Sequence, residues 1–342
     1  MSAGSIAVVI VTYESAGHIA GTLGALEGQL RDGDEVIVVD NASRDGTARA
    51  VRAAAPGAVL LEQDRNLGFA GGCATGAAAS PAPLLLFLNP DSAPAEGCLD
   101  ALRSAGVEQG SWGAWQALVT MDGGTRINTS GNVAHFLGMG WAGQCGQPLA
   151  AAPEQPTEIP FASGAALAVR REAWEQLGGF DSRYFMYGED LDFGLRLWLS
   201  GWKVGIAPAA RVEHAYEFAK GGDKWYLLER NRWWTVIGDY PAPLLLLLLP
   251  ALLASELALL GVAAQGGWLA SKLRAQAAVI RELPAIVARR REIQARRRIS
   301  AAAFARRLSA ELDSPYLAGV SRLPLLPALQ RAYWWLMLAV LR

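Results

Sequence analysis

Along the first ninety residues, unbroken apolar runs alternate with stretches of helical spacing. "IAVVIV" (6–11), "EVIVVD" (35–40), "AVLLE" (58–62) and "PLLLFL" (83–88) are bounded by turn residues, with helical stretches at 18–30, from about 47, and at 69–79 between them. Runs of Val, Ile and Leu without polar alternation suit strands covered on both faces, and their alternation with helices predicts βαβ units in a parallel sheet. This is an α/β architecture of the nucleotide-binding type. Neither GxGxxG nor GKT follows the first strand, so the dinucleotide fingerprint and the phosphate loop are absent. Polar groups recur instead at the carboxyl ends of the strands: Thr12-Tyr13-Glu14, Asp40-Asn41-Ala42-Ser43 and Asn89-Pro90-Asp91. Open α/β sheets bind ligands along that edge.

The stretch "FLNPDS" (87–92) ends a core-like run with a carboxylate. A strand tip in a dry sheet holds such a group rigidly against a metal or a diphosphate, and Pro90 ends the strand by removing a backbone donor. A simple Asn-Pro-Asp turn is the competing reading. In "SGAALAVRREAWEQLGGFDSRYFMYGEDLDFGLRLWLSGW" (163–202), a strand and helix follow Ser163-Gly164-Ala165, and Glu189, Asp190 and Asp192 open an amphipathic helix. The helix dipole favours acids there, and Asp192 is spaced to pair with Arg196. Glu189 and Asp190 are not explained that way. Two adjacent acids delivered by the aromatic loop "RYFMYG" are expected to have raised proton affinity, which suits a general base. A short strand is expected next and then His214, a candidate metal ligand beside Asp91.

Charge divides the chain. Residues 1–270 carry 17 Lys+Arg against 28 Asp+Glu, and residues 271–342 carry 14 against 4. Cys73, Cys98 and Cys145 lack metal or disulfide spacing, and "MSAGSIAVVIVTY" has no basic region ahead of its apolar run, so no signal peptide is expected. From 241 to 270 an apolar run approaches the ~20 residues that cross a bilayer, but Pro250 and Glu256 interrupt it. Spanning, re-entrant and interfacial placements all fit. An Arg-rich, helix-prone stretch follows and then "LPLLPALQRAYWWLMLAVLR" (323–342), both suited to an anionic leaflet. A packing or oligomerisation domain with a solvated Arg face is the alternative. The expected division is a domain over 1–235 and an apolar and basic helical region over 236–342. The Gly- and Pro-rich stretch 130–160 fits a mobile loop.

Six markers stand in order: "VVIVTYES", "VIVVDNASRDGT", "NLGFAGGCATG", "LLLFLNPDS", the 163–202 segment and "VEH". Together they resemble inverting family 2 glycosyltransferases of the GT-A fold, Rossmann-like with a mostly parallel sheet, in the rhamnosyltransferase-like branch of bacterial polysaccharide and cell-wall assembly. The resemblance covers residues 5 to about 235. It implies donor-nucleotide contacts from Thr12, Tyr13, Glu14, Asp40 and Asn41, and close backbone approach to the donor at Asn66, Gly68 and Gly71. Asn89-Pro90-Asp91 takes the place of the Asp-x-Asp motif, with Asn89 replacing its first Asp. Asp91 and His214 would hold Mg2+ or Mn2+ on the diphosphate, and Asp190, with Glu189 beside it, would be the base.

Arg230 and Arg232 are placed at a lipid diphosphate, at the donor, or in a structural ion pair. The implied partners are a dTDP-, UDP- or GDP-sugar, rhamnose first, a glycan or polyprenyl-diphosphate-linked acceptor, and the cytoplasmic face of an anionic membrane, with no nucleic acid. A nucleotidyltransferase is disfavoured because "VTYESAG" is not a basic glycine-rich phosphate loop. An inert membrane-bound nucleotide-sugar-binding module would lack Asp91, Asp190 and His214.

Overall fold

The computed structural model describes residues 4–214, 223–312 and 326–342. Residues 215–218, which follow His214, and the first three residues of the last apolar segment lie outside the described residues. The chain divides into two compact units. One comprises Met1–Asn132, Ala142–Leu197 and Trp202–Ala219, and the other Val133–Trp141, Trp198–Gly201 and Lys220–Arg342.

The first unit opens with β1 (Ile6–Thr12), α1 (Ile19–Leu26), β2 (Glu35–Asp40), α2 (Thr47–Ala54), β3 (Val59–Glu62), α3 (Gly68–Ala78) and β4 (Leu84–Leu88). These are the expected βαβ units, and β3-β2-β1-β4 pair in parallel throughout. Every residue of β1 is buried because helices cover both faces. Ile6, Val8 and Ile10 join a core with Ile19 and Leu23 of α1. Val9 and Val11, pointing the other way, meet α3. That approach needs glycine: a Cβ on Gly72 would lie 2.5 Å from Val11 Cγ1. Helix α1 ends at Leu26 rather than near 30, because the chain turns at Gly28 with φ of 78°.

The sheet then becomes mixed. After β5 (Ser92–Pro94) and α4 (Cys98–Glu108) come β6 (Trp112–Met121), β7 (Arg126–Thr129), β8 (Asn132–Ala134), β9 (Gly140–Ala142), β10 (Thr157–Glu158) and β11 (Ala166–Arg170). Helices α5 (Arg171–Leu177) and α6 (Glu189–Leu199) precede β12 (Lys203–His214). The order is β10-β12-β6-β11-β4-β1-β2-β3, with β5 on β12 and β7 on β6. The expected short strand before His214 is twelve residues long. Its register against β6 shifts between Ala207 and Arg211, where Pro208 lacks the donor that regular pairing needs. The stretch 130–160 carries β8, β9 and β10 rather than loop alone.

The second unit contains α7 (Lys224–Asp239), α8 (Ala242–Gln265), α9 (Leu269–Ala295), α10 (Ala301–Ala305) and α11 (Leu326–Val340). Leu244, Leu248 and Leu252 give α8 a buried face, and Phe136 stacks on Trp334 at 5.1 Å. Between α7, α8 and α9 lies a buried charge network. Lys272 Nζ, fully buried, sits 2.5 Å from Glu229 Oε2 and 3.0 Å from Glu256 Oε2, and Arg232 also pairs with Glu256.

Candidate active site

The carboxyl edge of the first unit's sheet is tied together strand by strand. Thr12 Oγ1, at the tip of β1, donates to Asp40 Oδ1 at 3.0 Å, and Ser43 Oγ donates to the same oxygen at 2.5 Å. Glu14 accepts from the Arg44 amide at 2.9 Å and donates its own amide to Ser43. Tyr13 projects outward, 54% exposed. Asn41, buried, donates through Nδ2 to the Gly68 carbonyl at 3.0 Å and so fixes the start of α3. Asn66 Oδ1 accepts from the Gly68 amide at 2.8 Å.

Gly68 has φ of 73°, and a Cβ there would lie 2.3 Å from the Phe185 carbonyl oxygen. The start of α3 and the loop ahead of Glu189 are therefore in direct contact. Gly71, where a Cβ would meet Leu67 at 2.9 Å, packs against its own helix.

At the tip of β4 the Asn89 amide donates to the Ala165 carbonyl at 3.1 Å. The next strand, β5, pairs antiparallel with β12 so that Ser92 faces His214. That register brings His214 Nε2 to 3.0 Å from Asp91 Oδ1 and 3.2 Å from Asn89 Nδ2. Burial pushes the Asp91 carboxyl up, but the hydrogen bond and charge of His214 outweigh it and hold the group below the usual range.

On the other side of Ala165 the Gly164 amide reaches Asp190 Oδ2 at 3.4 Å, and the Leu191 amide donates to Asp190 Oδ1 at 2.8 Å. The turn 163–165 thus links Asn89 to Asp190. Burial pushes Asp190 up to about 6 against the pull of these two amides. Glu189 is raised well above the usual carboxyl range by burial and by the adjacent Asp190, and its Oε2 is buried with no hydrogen-bond partner among the described residues. Asp192 is structural: it accepts from Tyr184 at 3.0 Å and pairs with Arg196 at 2.7 Å, as its spacing predicts.

Phe185 and Tyr187 hold left-handed φ of 64° and 69° just before these acids, and Glu14 and Ala42 do so at the tips of β1 and β2. Bulky residues rarely adopt that region, and each such residue costs on the order of 1–3 kcal/mol. Strain is thus concentrated along the edge that carries the polar groups.

Arg230 and Arg232 belong to α7 of the second unit. Arg232 is buried in the charge network with Glu229 and Glu256, the ion-pair alternative, while Arg230 contacts Asn231 and stacks over Tyr226.

Sequence reasoning did not single out Gln116. Fully buried in β6, it accepts from the Ser163 amide at 2.9 Å and so anchors the turn that reaches Asp190. Its signal was a lone amide inside "WGAWQALVTM".

A family model described as glycosyl transferase family 2 matches residues 7–178, and the chain belongs to that family. A second model, the N-terminal domain of galactosyltransferase, matches residues 150–220. An N-acetylglucosaminyl-diphospho-decaprenol L-rhamnosyltransferase of Mycobacterium tuberculosis is 32% identical over 238 residues, covering 63% of this chain and 78% of that protein.

GalNAc-T7, solved with UDP, GalNAc and Mn2+, superposes with a TM-score of 0.56 at 15% identity, covering 70% of this chain and 48% of that one. This chain therefore spans about half the length of that structure. The mannosyltransferase PcManGT from Pyrobaculum calidifontis, with GDP-Man and Mn2+, gives 0.50 at 20% identity, covering 98% and 86%. The fold is GT-A, with a C-terminal helical region, and the class of reaction is glycosyl transfer.

Proposed function

We propose that this chain moves a sugar, rhamnose first, from a nucleoside-diphosphate donor to a hydroxyl of a glycan or polyprenyl-diphosphate-linked acceptor at the cytoplasmic membrane face, with inversion. The observation that carries this reading is Asp190: a carboxyl raised to about 6, held by two backbone amides and joined through residues 164–165 to Asn89. A base must be ionised near working pH and still hold a proton well, and a raised carboxyl meets both demands. In the displacement, the acceptor oxygen bonds to the anomeric carbon as its proton passes to Asp190. The bond from that carbon to the diphosphate oxygen breaks, and its electron pair leaves with the nucleoside diphosphate. Glu189, raised well above the usual carboxyl range by burial and by its neighbour, is the member of the pair that favours its proton, and Asp190 is the member that favours the anion.

Asp91 and His214 fit a divalent cation. One oxygen and one nitrogen donor converge at 3.0 Å, and among the described residues no group of three or more His, Cys, Asp or Glu could hold an ion alone. A two-residue site suits Mg2+ or Mn2+, which complete their shells with substrate phosphate oxygens and water. Such an ion, when bound, would neutralise the leaving diphosphate. The rhamnosyl donor and polyprenyl acceptor are supported by the 32% identical mycobacterial relative, whose name specifies both an L-rhamnosyl group and a diphospho-decaprenol.

The test is incubation with dTDP-rhamnose and N-acetylglucosaminyl-diphospho-polyprenol. A product heavier by one deoxyhexose, with the opposite anomeric configuration to the donor, is expected. A protein that binds a nucleotide sugar without consuming any would instead be the inert binding module.

A further inference from the structure

The second unit carries an apolar surface that its own packing leaves open. Helix α8 is apolar around nearly its whole circumference, yet only one face is packed: Leu244, Leu248, Leu252, Leu259 and Ala263 are buried. On the other side Leu246, Leu249, Leu253 and Leu257 are 71%, 48%, 57% and 73% exposed. Spacings of three and four place them in one stripe. Helix α11 lies alongside, its Tyr333 hydroxyl donating to the Leu247 carbonyl at 2.7 Å, and it exposes Trp335 at 70%.

By length and composition alone α8 could cross a bilayer. Glu256 argues against it. This residue lies on the packed side of α8, between Arg232 of α7 and Lys272 of α9, with Gln276 Nε2 donating to it at 2.8 Å. A crossing would carry Glu256 into hydrocarbon, and either its two cationic partners would follow or the buried network would break. Each is costly.

A bilayer surface needs neither. The leucine stripe can enter the headgroup boundary while the charge network stays inside the protein. Charge complementarity selects the surface: residues 271–308, directly after α8, hold 11 Lys+Arg against 2 Glu, and Arg281, Arg291, Arg296, Arg297 and Arg298 are exposed. Apolar insertion with neighbouring basic residues is the pattern of an interfacial helix on an anionic leaflet.

We propose that α8 lies in the interface of an anionic membrane, seated through Leu246, Leu249, Leu253 and Leu257, and does not cross it. This deepens the membrane-face part of the proposed function and rests on it; nucleotide binding by the first unit does not depend on it.

Flotation of the full chain with vesicles of phosphatidylcholine, with or without phosphatidylglycerol, tests the proposal. Binding is expected only with phosphatidylglycerol, to weaken as salt rises, and to be reversed by alkaline carbonate. Replacing the four leucines by Ser is expected to reduce the bound fraction about tenfold or more, equivalent to ~1.4 kcal/mol. Melting should remain cooperative and dTDP affinity unchanged. A milder L253S/L257S variant, with a smaller loss, covers the case in which four changes impair folding.

Retention after carbonate would overturn the proposal in favour of a crossing helix. Leucine-dependent dimerisation without vesicle binding would assign the stripe to a second copy, and vesicle binding indifferent to the leucines would also overturn it. Loss of dTDP binding in the parent protein would count against the transferase reading instead.

Discussion

At the scale of single residues, the site depends on two carboxyls made unusually basic and one kept acidic. With Asp190 as base at about 6, kcat/KM is expected to rise about tenfold per pH unit below ~6 and level off above it. An ordinary aspartate, near 3.8, would show no such limb in that range. In Glu189→Gln the limb should persist near 6, because burial rather than Glu189 is what raises Asp190; loss of activity in that variant would move the base to Glu189.

The same shifts set a stability trend. A carboxyl raised on folding contributes stability that is fully present below its unfolded value and lost as pH rises through the folded one. Glu189→Gln should therefore melt a few degrees higher than the parent at neutral pH, with the difference closing in acid. Asp91, held low by His214, is the counterpart. Asp91→Ala is expected to abolish any dependence of dTDP binding on Mn2+, measured by calorimetry.

At the scale of elements, close backbone approach decides where the site sits. A side chain at Gly68 would meet the carbonyl of Phe185 at a φ that side chains rarely adopt. Gly68→Ala is expected to destabilise by about 1–3 kcal/mol and to displace the loop that delivers Glu189 and Asp190, seen as a lower melting temperature and reduced transfer. Lys272→Met should cost about 3–5 kcal/mol in chemical denaturation, because it leaves two buried carboxylates with one cation fewer.

These elements also show what the sequence makes legible. The parallel half of the sheet follows from hydrophobic runs, since strands covered on both faces, as β1 is, must be continuously apolar; β3, at the sheet edge, keeps such a run although it is partly exposed. Strand-tip chemistry at Thr12, Asp40, Asn89 and Asp91 could be read because the runs end abruptly in polar residues. The mixed half could not be read as a sheet: β12 passes through Pro208 with a register shift, and β10 is two residues long, while β8 and β9, three residues each, form a separate pair. Gln116 acts through a contact 47 residues away in sequence, which no local pattern carries. Arg232 looked available for a phosphate because its partner Glu256 lies on another helix.

At the scale of the whole molecule, the chain separates its tasks. An acidic α/β unit of the GT-A fold concentrates strain and shifted carboxyls on one sheet edge, while the helical unit holds Glu229, Asp239 and Glu256 in internal ion pairs and shows leucine and arginine outside. The displacement mechanism proposed for this edge stands or falls on Asp190. The most direct measurement compares dTDP-rhamnose consumption and calorimetric dTDP binding in the parent and in Asp190→Asn, with acceptor present. Transfer reduced by about 10²–10⁴-fold with dTDP affinity unchanged is the expected result. Full transfer in Asp190→Asn would contradict the assignment of the base and the mechanism built on it.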